Sequence, residues 1–125
     1  MFKDLEDFLE KMSRPDDVEK LLTKGTVVKH FKREMMTTEE LQEEPFKYLY
    51  LVNGLCTHTE TGEALVVYTS FSDHKLWARP VDVFISKVDK EKYPDAKQEY
   101  RFEIDNDFTI RAEKLRSGYD ELLQK

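Results

Sequence analysis

Residues 49–88, LYLVNGLCTHTETGEALVVYTSFSDHKLWARPVDVFISKV, narrow the fold more than any other stretch, because two β-favouring runs flank a turn that contains Gly62. The first run, residues 48–57, carries apolar side chains on both of its faces. Asn53-Gly54 interrupts it with apolar residues on either side, which reads as a bulge or sharp bend rather than a hairpin turn. Glu60-Thr61-Gly62-Glu63 then predicts a tight hairpin connection, since Gly62 can take a positive φ without steric cost. Residues 65–71 predict the partner strand and residues 76–79 a further one. Pro80 holds Arg79 extended and can open a short helical turn through Ile85.

Two more strands complete the set. Residues 26–31 (TVVKHF) are β-rich, and residues 100–104 (YRFEI) alternate like a strand buried on one face. Between residues 32 and 46 the pattern breaks. Thr37 and Glu40 have capping-box spacing there, and Pro45 stops whatever helix they start. Helical periodicity appears at the ends. Phe2, Leu5, Phe8, Leu9 and Met12 share one face, and so do Val18, Leu21 and Leu22, with Pro15 suited to the first turn and Gly25 to the stop. Leu115, Tyr119, Leu122 and Leu123 predict a helix over 112–123. Five short strands and a one-turn helix before the last of them predict a mainly β fold: a small SH3-like barrel with flanking N- and C-terminal α-helices. The expected divisions are an N-terminal helical extension over 1–24, the barrel over 25–104 and a C-terminal helical extension over 105–125, all one compact domain.

Charge and cysteine content exclude several classes. The net charge is −6 with 37% charged residues, which argues against general nucleic-acid binding and against docking on an anionic membrane. Cys56 is the single cysteine. It cannot form an intrachain disulfide, which fits a reducing cytoplasm, and its apolar surroundings read as those of a small buried residue. No apolar run is long enough for a membrane span. His30, His58 and His74 have no metal-ligand spacing, no glycine-rich phosphate loop occurs, and no nucleophile elbow is present. The sequence therefore calls for neither metal nor cofactor, and it displays no catalytic set.

One group of residues offers chemistry. His58 ends a strand, Glu60 begins the turn, and Tyr68 lies on the partner strand. Trp77 and Arg79 share a face of the next strand because side chains alternate with period two. A guanidinium beside an indole suits a small anion, a nucleotide or a peptide, unless Arg79 is spent on an internal pair with Glu60. The reading is a non-enzymatic binding module with His58, Glu60, Tyr68, Trp77 and Arg79 as the ligand-binding candidates. The alternative is a protein-interaction or homo-oligomerisation domain, such as a homodimer, that uses its terminal helices, with a hydrolase behind both.

The same residues carry a resemblance. Gly25-Thr26-Val27-Val28-Lys29-His30-Phe31-Lys32, His58-Thr59-Glu60-Thr61, Val66-Val67-Tyr68, Trp77-Ala78-Arg79-Pro80 with Phe84, and Tyr100-Arg101-Phe102 together resemble the bacterial family called domain of unknown function 1653. The resemblance runs from about Gly25 to Glu103. It implies a small SH3-like barrel and implies no activity.

Overall fold

The computed structural model describes residues 18–124. Strands β1 (Val27–His30), β2 (Leu49–Thr57), β3 (Ala64–Ser70), β4 (Leu76–Pro80) and β5 (Phe102–Ile104) form one sheet in the order β4-β3-β2-β1-β5. Every neighbouring pair is antiparallel. The described helices are α1 (Val18–Leu21), α2 (Thr38–Glu43), α3 (Val81–Phe84) and α4 (Asn106–Gln124), with a 3-10 turn at Phe31–Met35. The helix expected over residues 2–12 lies outside the described residues.

All five expected strands are present, and the described residues are about 30% strand and 31% helix, an antiparallel sheet with a nearly equal share of helix. The surplus helix comes from α4, which begins at Asn106 instead of near Ala112. The reason is local: the Asp105 carboxylate accepts the Phe108 N–H at 3.0 Å and caps the first turn. Buried Thr109 then ties α4 to the sheet, its hydroxyl accepting the Val27 N–H at 2.9 Å and donating to the Asp105 carbonyl at 2.7 Å.

The sheet is not closed. β4 and β5 are its two edges, and no ladder joins them. β4 ends on Pro80, which has no N–H to give, and the three residues of β5 are all paired with β1. The sheet is nonetheless sharply curled. Phe102 on β5 and Tyr68 on β3 are three strand spacings apart, roughly 14 Å in a flat sheet, yet their ring centroids lie 5.6 Å apart. Arg79 on β4 is one spacing further, and its guanidinium carbon sits 5.8 Å from the centre of the Phe102 ring. The two free edges thus face each other across a seam bridged by side chains. The register shift between Val52 and Gly54 supplies part of the bend, at the residue pair read from sequence as a bulge.

The curl encloses the core. Val28, Val52, Val66, Tyr68 and Phe102 point inward, and Val18, Leu21, Val81, Phe84 and Ile85 fill the space between them. Phe84 from α3 stacks on Phe102 with centroids 4.3 Å apart, so this one-turn helix packs inside the curl beside the seam. A smaller cluster of Phe31, Val88, Ala96 and Tyr93 holds down the loop before β5. Beyond the bulge the β2–β3 hairpin overhangs this core. Cys56, expected to be buried, is for that reason exposed, as is Leu55.

Gly25 makes the turn from α1 into β1 at φ 95°, where a Cβ would meet Arg116 Nη2 at 3.0 Å. Its N–H donates to the Val52 carbonyl at 2.9 Å, so the strained position is fixed by the sheet. Gly25→Ala is expected to cost about 1–2 kcal/mol, measured as a lower urea midpoint at unchanged m-value.

Candidate functional site

Cross-strand partners share a face, so the register tells which side chains enter the concave side. Tyr68 faces Trp77 and Val66 faces Arg79 across the β3–β4 ladder. Tyr68 and Val66 are buried. Trp77 and Arg79 therefore lie on the concave face, as the alternation in the sequence indicated. His30 and Phe102 are partners at the opposite edge and occupy that same face. The curl brings the two edges together, and Arg79 lies over Phe102.

Arg101, next to Phe102, completes the group. Its Nε is buried without a hydrogen-bond partner. Neither Arg79 nor Arg101 has an ion pair or a hydrogen bond from its guanidinium among the described residues. Burial first, then the Arg79 charge, pulls the Arg101 pKa down, partly opposed by Tyr68 and Tyr93. The only other buried side-chain atom without a partner among the described residues is Asp82 Oδ1, on α3. Asp82 does not figure among the charges to which Arg101 or His30 responds.

His30 records the same field. Burial, then Arg79, Arg101 and Lys32, hold its pKa down at about 3, so the ring is neutral near pH 7. Its Nδ1 accepts the Lys32 N–H at 3.1 Å, which places the proton on Nε2. The ring packs edge-on against Phe102 at 5.0 Å and lies 5.7 Å from that of Tyr48. Tyr48 has φ 66°, a conformation that side-chain-bearing residues seldom take. Desolvation and the neighbouring tyrosines push the Tyr50 phenol up to about 12, with Arg79 opposing, so it keeps its proton and remains a donor. Arg79, the neutral His30 ring and the rings of Tyr50 and Tyr68 thus surround Phe102, with Arg101 next to it in the chain.

This geometry sets a pH dependence. Unfolding returns His30 to an ordinary pKa of 6.5, above its folded value of about 3. Between these values the unfolded chain holds a proton that the native ring refuses, so stability is full above pH 6.5 and declines as the pH falls through that window. The slope is at most about 1.4 kcal/mol per pH unit, and less here because part of the ring meets solvent. Urea unfolding at pH 7 and pH 5 is expected to show a smaller acid loss for His30→Asn than for the parent chain.

The other sequence candidates lie elsewhere or serve the fold. His58 Nδ1 accepts the N–H groups of Glu60 at 3.0 Å and Thr61 at 3.3 Å, so it closes the hairpin turn. Glu60 is exposed in that turn and makes no ion pair with Arg79. Tyr68 is a core residue that forms the floor under the arginines. Trp77 is 48% exposed, not a core residue. A separate cavity of about 180 Å³ lies between the 3-10 turn, α2 and Tyr48. Its charged groups are partly engaged already, since Lys47 pairs with Glu44 at 3.3 Å and Glu40 completes the Thr37 capping box.

Sequence reasoning singled out Arg79 and Trp77 but missed Arg101 and His30. The signal for Arg101 was its place between Tyr100 and Phe102 in an alternating strand. Only the closure of two distant edges makes it a neighbour of Arg79.

The arrangement, a β4-β3-β2-β1-β5 antiparallel sheet with an arginine pair at its seam, defines a small α+β protein without a visible catalytic set among the described residues. Residues 26–104 match the family described as "Protein of unknown function (DUF1653)", and the chain belongs to that family. Searches of the curated proteins and of the solved structures return no match. No helix among the described residues is long and apolar enough to cross a membrane, and no described group of His, Cys, Asp or Glu could hold a metal ion.

Proposed function

We propose that this chain is a non-enzymatic binding module for a small anionic ligand, held at the seam by Arg79 and Arg101 in what we read as an SH3-like barrel left open between β4 and β5. The observation that carries the reading is that, among the described residues, no carboxylate pairs with Arg79, which lies over the Phe102 ring, or with Arg101 beside Phe102, whose Nε is buried without a hydrogen-bond partner. Taking a cation from water without an acceptor is costly, and placing a second beside it adds repulsion. A protein with net charge −6 has carboxylates to spare, and none of the described ones sits at ion-pair distance there. Perturbed, unpaired groups of this kind concentrate at functional sites. A ligand anion would supply the missing acceptors, and the His30 Nε2–H would add a neutral donor. The lone cysteine and the acidic balance support a cytoplasmic setting.

The test is a melting series at fixed ionic strength. Inorganic phosphate or sulfate is expected to raise Tm saturably, as linkage to the folded state requires. Equal shifts with chloride would reject the reading.

A further inference from the structure

This inference rests on the anion reading and names the ligand class. Two arginines without an ion pair among the described residues present two positive charges, which a carboxylate would only half balance. A phosphomonoester carries about −1.5 to −2 at pH 7 and offers three acceptor oxygens. The seam thus matches a phosphomonoester better than a carboxylate in both charge and number of acceptors.

Trp77 indicates what the phosphate is attached to. It is the only tryptophan in the chain. It lies two residues before Arg79 on the same strand and the same face, roughly 7 Å away along the backbone. Its indole is 48% exposed and has no ring, cation or hydrogen-bond partner among the described residues. Tyr68, its cross-strand partner, is 3% exposed and packs edge-on against Tyr50 and Phe102, so it cannot serve as the platform. An unoccupied aromatic face beside a cationic grip is the arrangement on which bases stack. A nucleic-acid strand would need a track of cations, whereas the seam offers one arginine pair in an acidic protein.

We infer that the seam binds a 5′-mononucleotide, with the phosphate on Arg79 and Arg101 and the base against Trp77. The Nε2–H of His30, whose ring packs against Phe102, would be a further donor.

The single tryptophan makes the test direct. The full chain is titrated with AMP, GMP, CMP and UMP, with inorganic phosphate, with the matching nucleosides, with acetate and with a short single-stranded oligonucleotide. Tryptophan emission and calorimetry are both followed. At least one mononucleotide is expected to change the Trp77 emission saturably and to bind about tenfold or more tighter than inorganic phosphate. Its nucleoside is expected to bind at least tenfold more weakly than the nucleotide. Trp77→Ala, read by calorimetry, should lose the nucleotide's advantage over phosphate, and Trp77→Phe should restore part of it. Circular dichroism melting confirms that both variants fold. Phosphate binding as tightly as every nucleotide, with unchanged emission, would overturn this inference and leave the anion reading standing. Silence with phosphate and nucleotides alike would remove both. An oligonucleotide or acetate binding far more tightly than any mononucleotide would also overturn it.

Discussion

Phe102→Ala is expected to lower the stability of the fold by about 3–5 kcal/mol, the range for removing a large buried aromatic. Phe102 is 1% exposed and lies where the curled sheet meets itself. It stacks on Phe84 at 4.3 Å and packs edge-on against Tyr50 at 5.7 Å and Tyr68 at 5.6 Å. These neighbours, from three elements, would be left facing a void, and they cannot all collapse into it because the strands are held by their ladders. Total stabilities of such domains are about 5–15 kcal/mol, so this loss approaches unfolding. Urea denaturation with fixed m-value gives the number. A cost below about 1.5 kcal/mol would mean that the edges do not depend on this ring. Trp77→Ala, by contrast, should cost much less, since the indole is 48% exposed.

The second large effect concerns binding. Arg79→Gln and Arg101→Gln are each expected to weaken phosphate binding by about 10- to 100-fold, the worth of a charge-assisted hydrogen bond to a buried acceptor. The double variant should fall short of the product of the two, because removing either charge relieves the other. Stability is expected to move by less than about 1 kcal/mol in Arg79→Gln. The lost contact with the Phe102 face costs about 0.5–1 kcal/mol, and the lost repulsion with Arg101 offsets it. Binding that disappears only when the protein also unfolds would assign both arginines to structure alone. Calorimetric titration alongside thermal melting separates these outcomes.

Much of the fold could be read in the chain because the information was local. Gly62 marked the hairpin and has φ 74° there. Asn53-Gly54 marked the bulge, and the ladder shifts between Val52 and Gly54. Thr37 and Glu40 form the capping box their spacing indicated. Pro80 ends β4 and α3 follows it. What escaped sequence reasoning was non-local. The start of α4 depended on Asp105 capping rather than on apolar period. Whether the sheet would close depended on hydrogen-bonding groups that Pro80 and a three-residue β5 do not supply.

The same distinction holds for the candidate site. Trp77 and Arg79 were paired correctly because alternation places i and i+2 together. His58 and Glu60 were grouped with them because the hairpin is contiguous in sequence, yet His58 is engaged in its own turn. Arg101 immediately precedes edge strand β5 and His30 ends its neighbour β1, at the far side of the sheet from β4, so no spacing along the chain could join them to Arg79. The curl alone does that.

The central claim is that an anion is gripped between the two free edges of the sheet by Arg79 and Arg101. Nitrogen-resolved NMR of the arginine side chains during a phosphate titration addresses it most directly, since each Nε–H gives its own signal. The Arg79 and Arg101 Nε–H resonances should move together and saturate at one phosphate per chain, while those of exposed Arg111 stay still. Uniform small shifts across all arginines, or a saturable response at Lys32 and Lys47 with the arginine pair unmoved, would contradict the account.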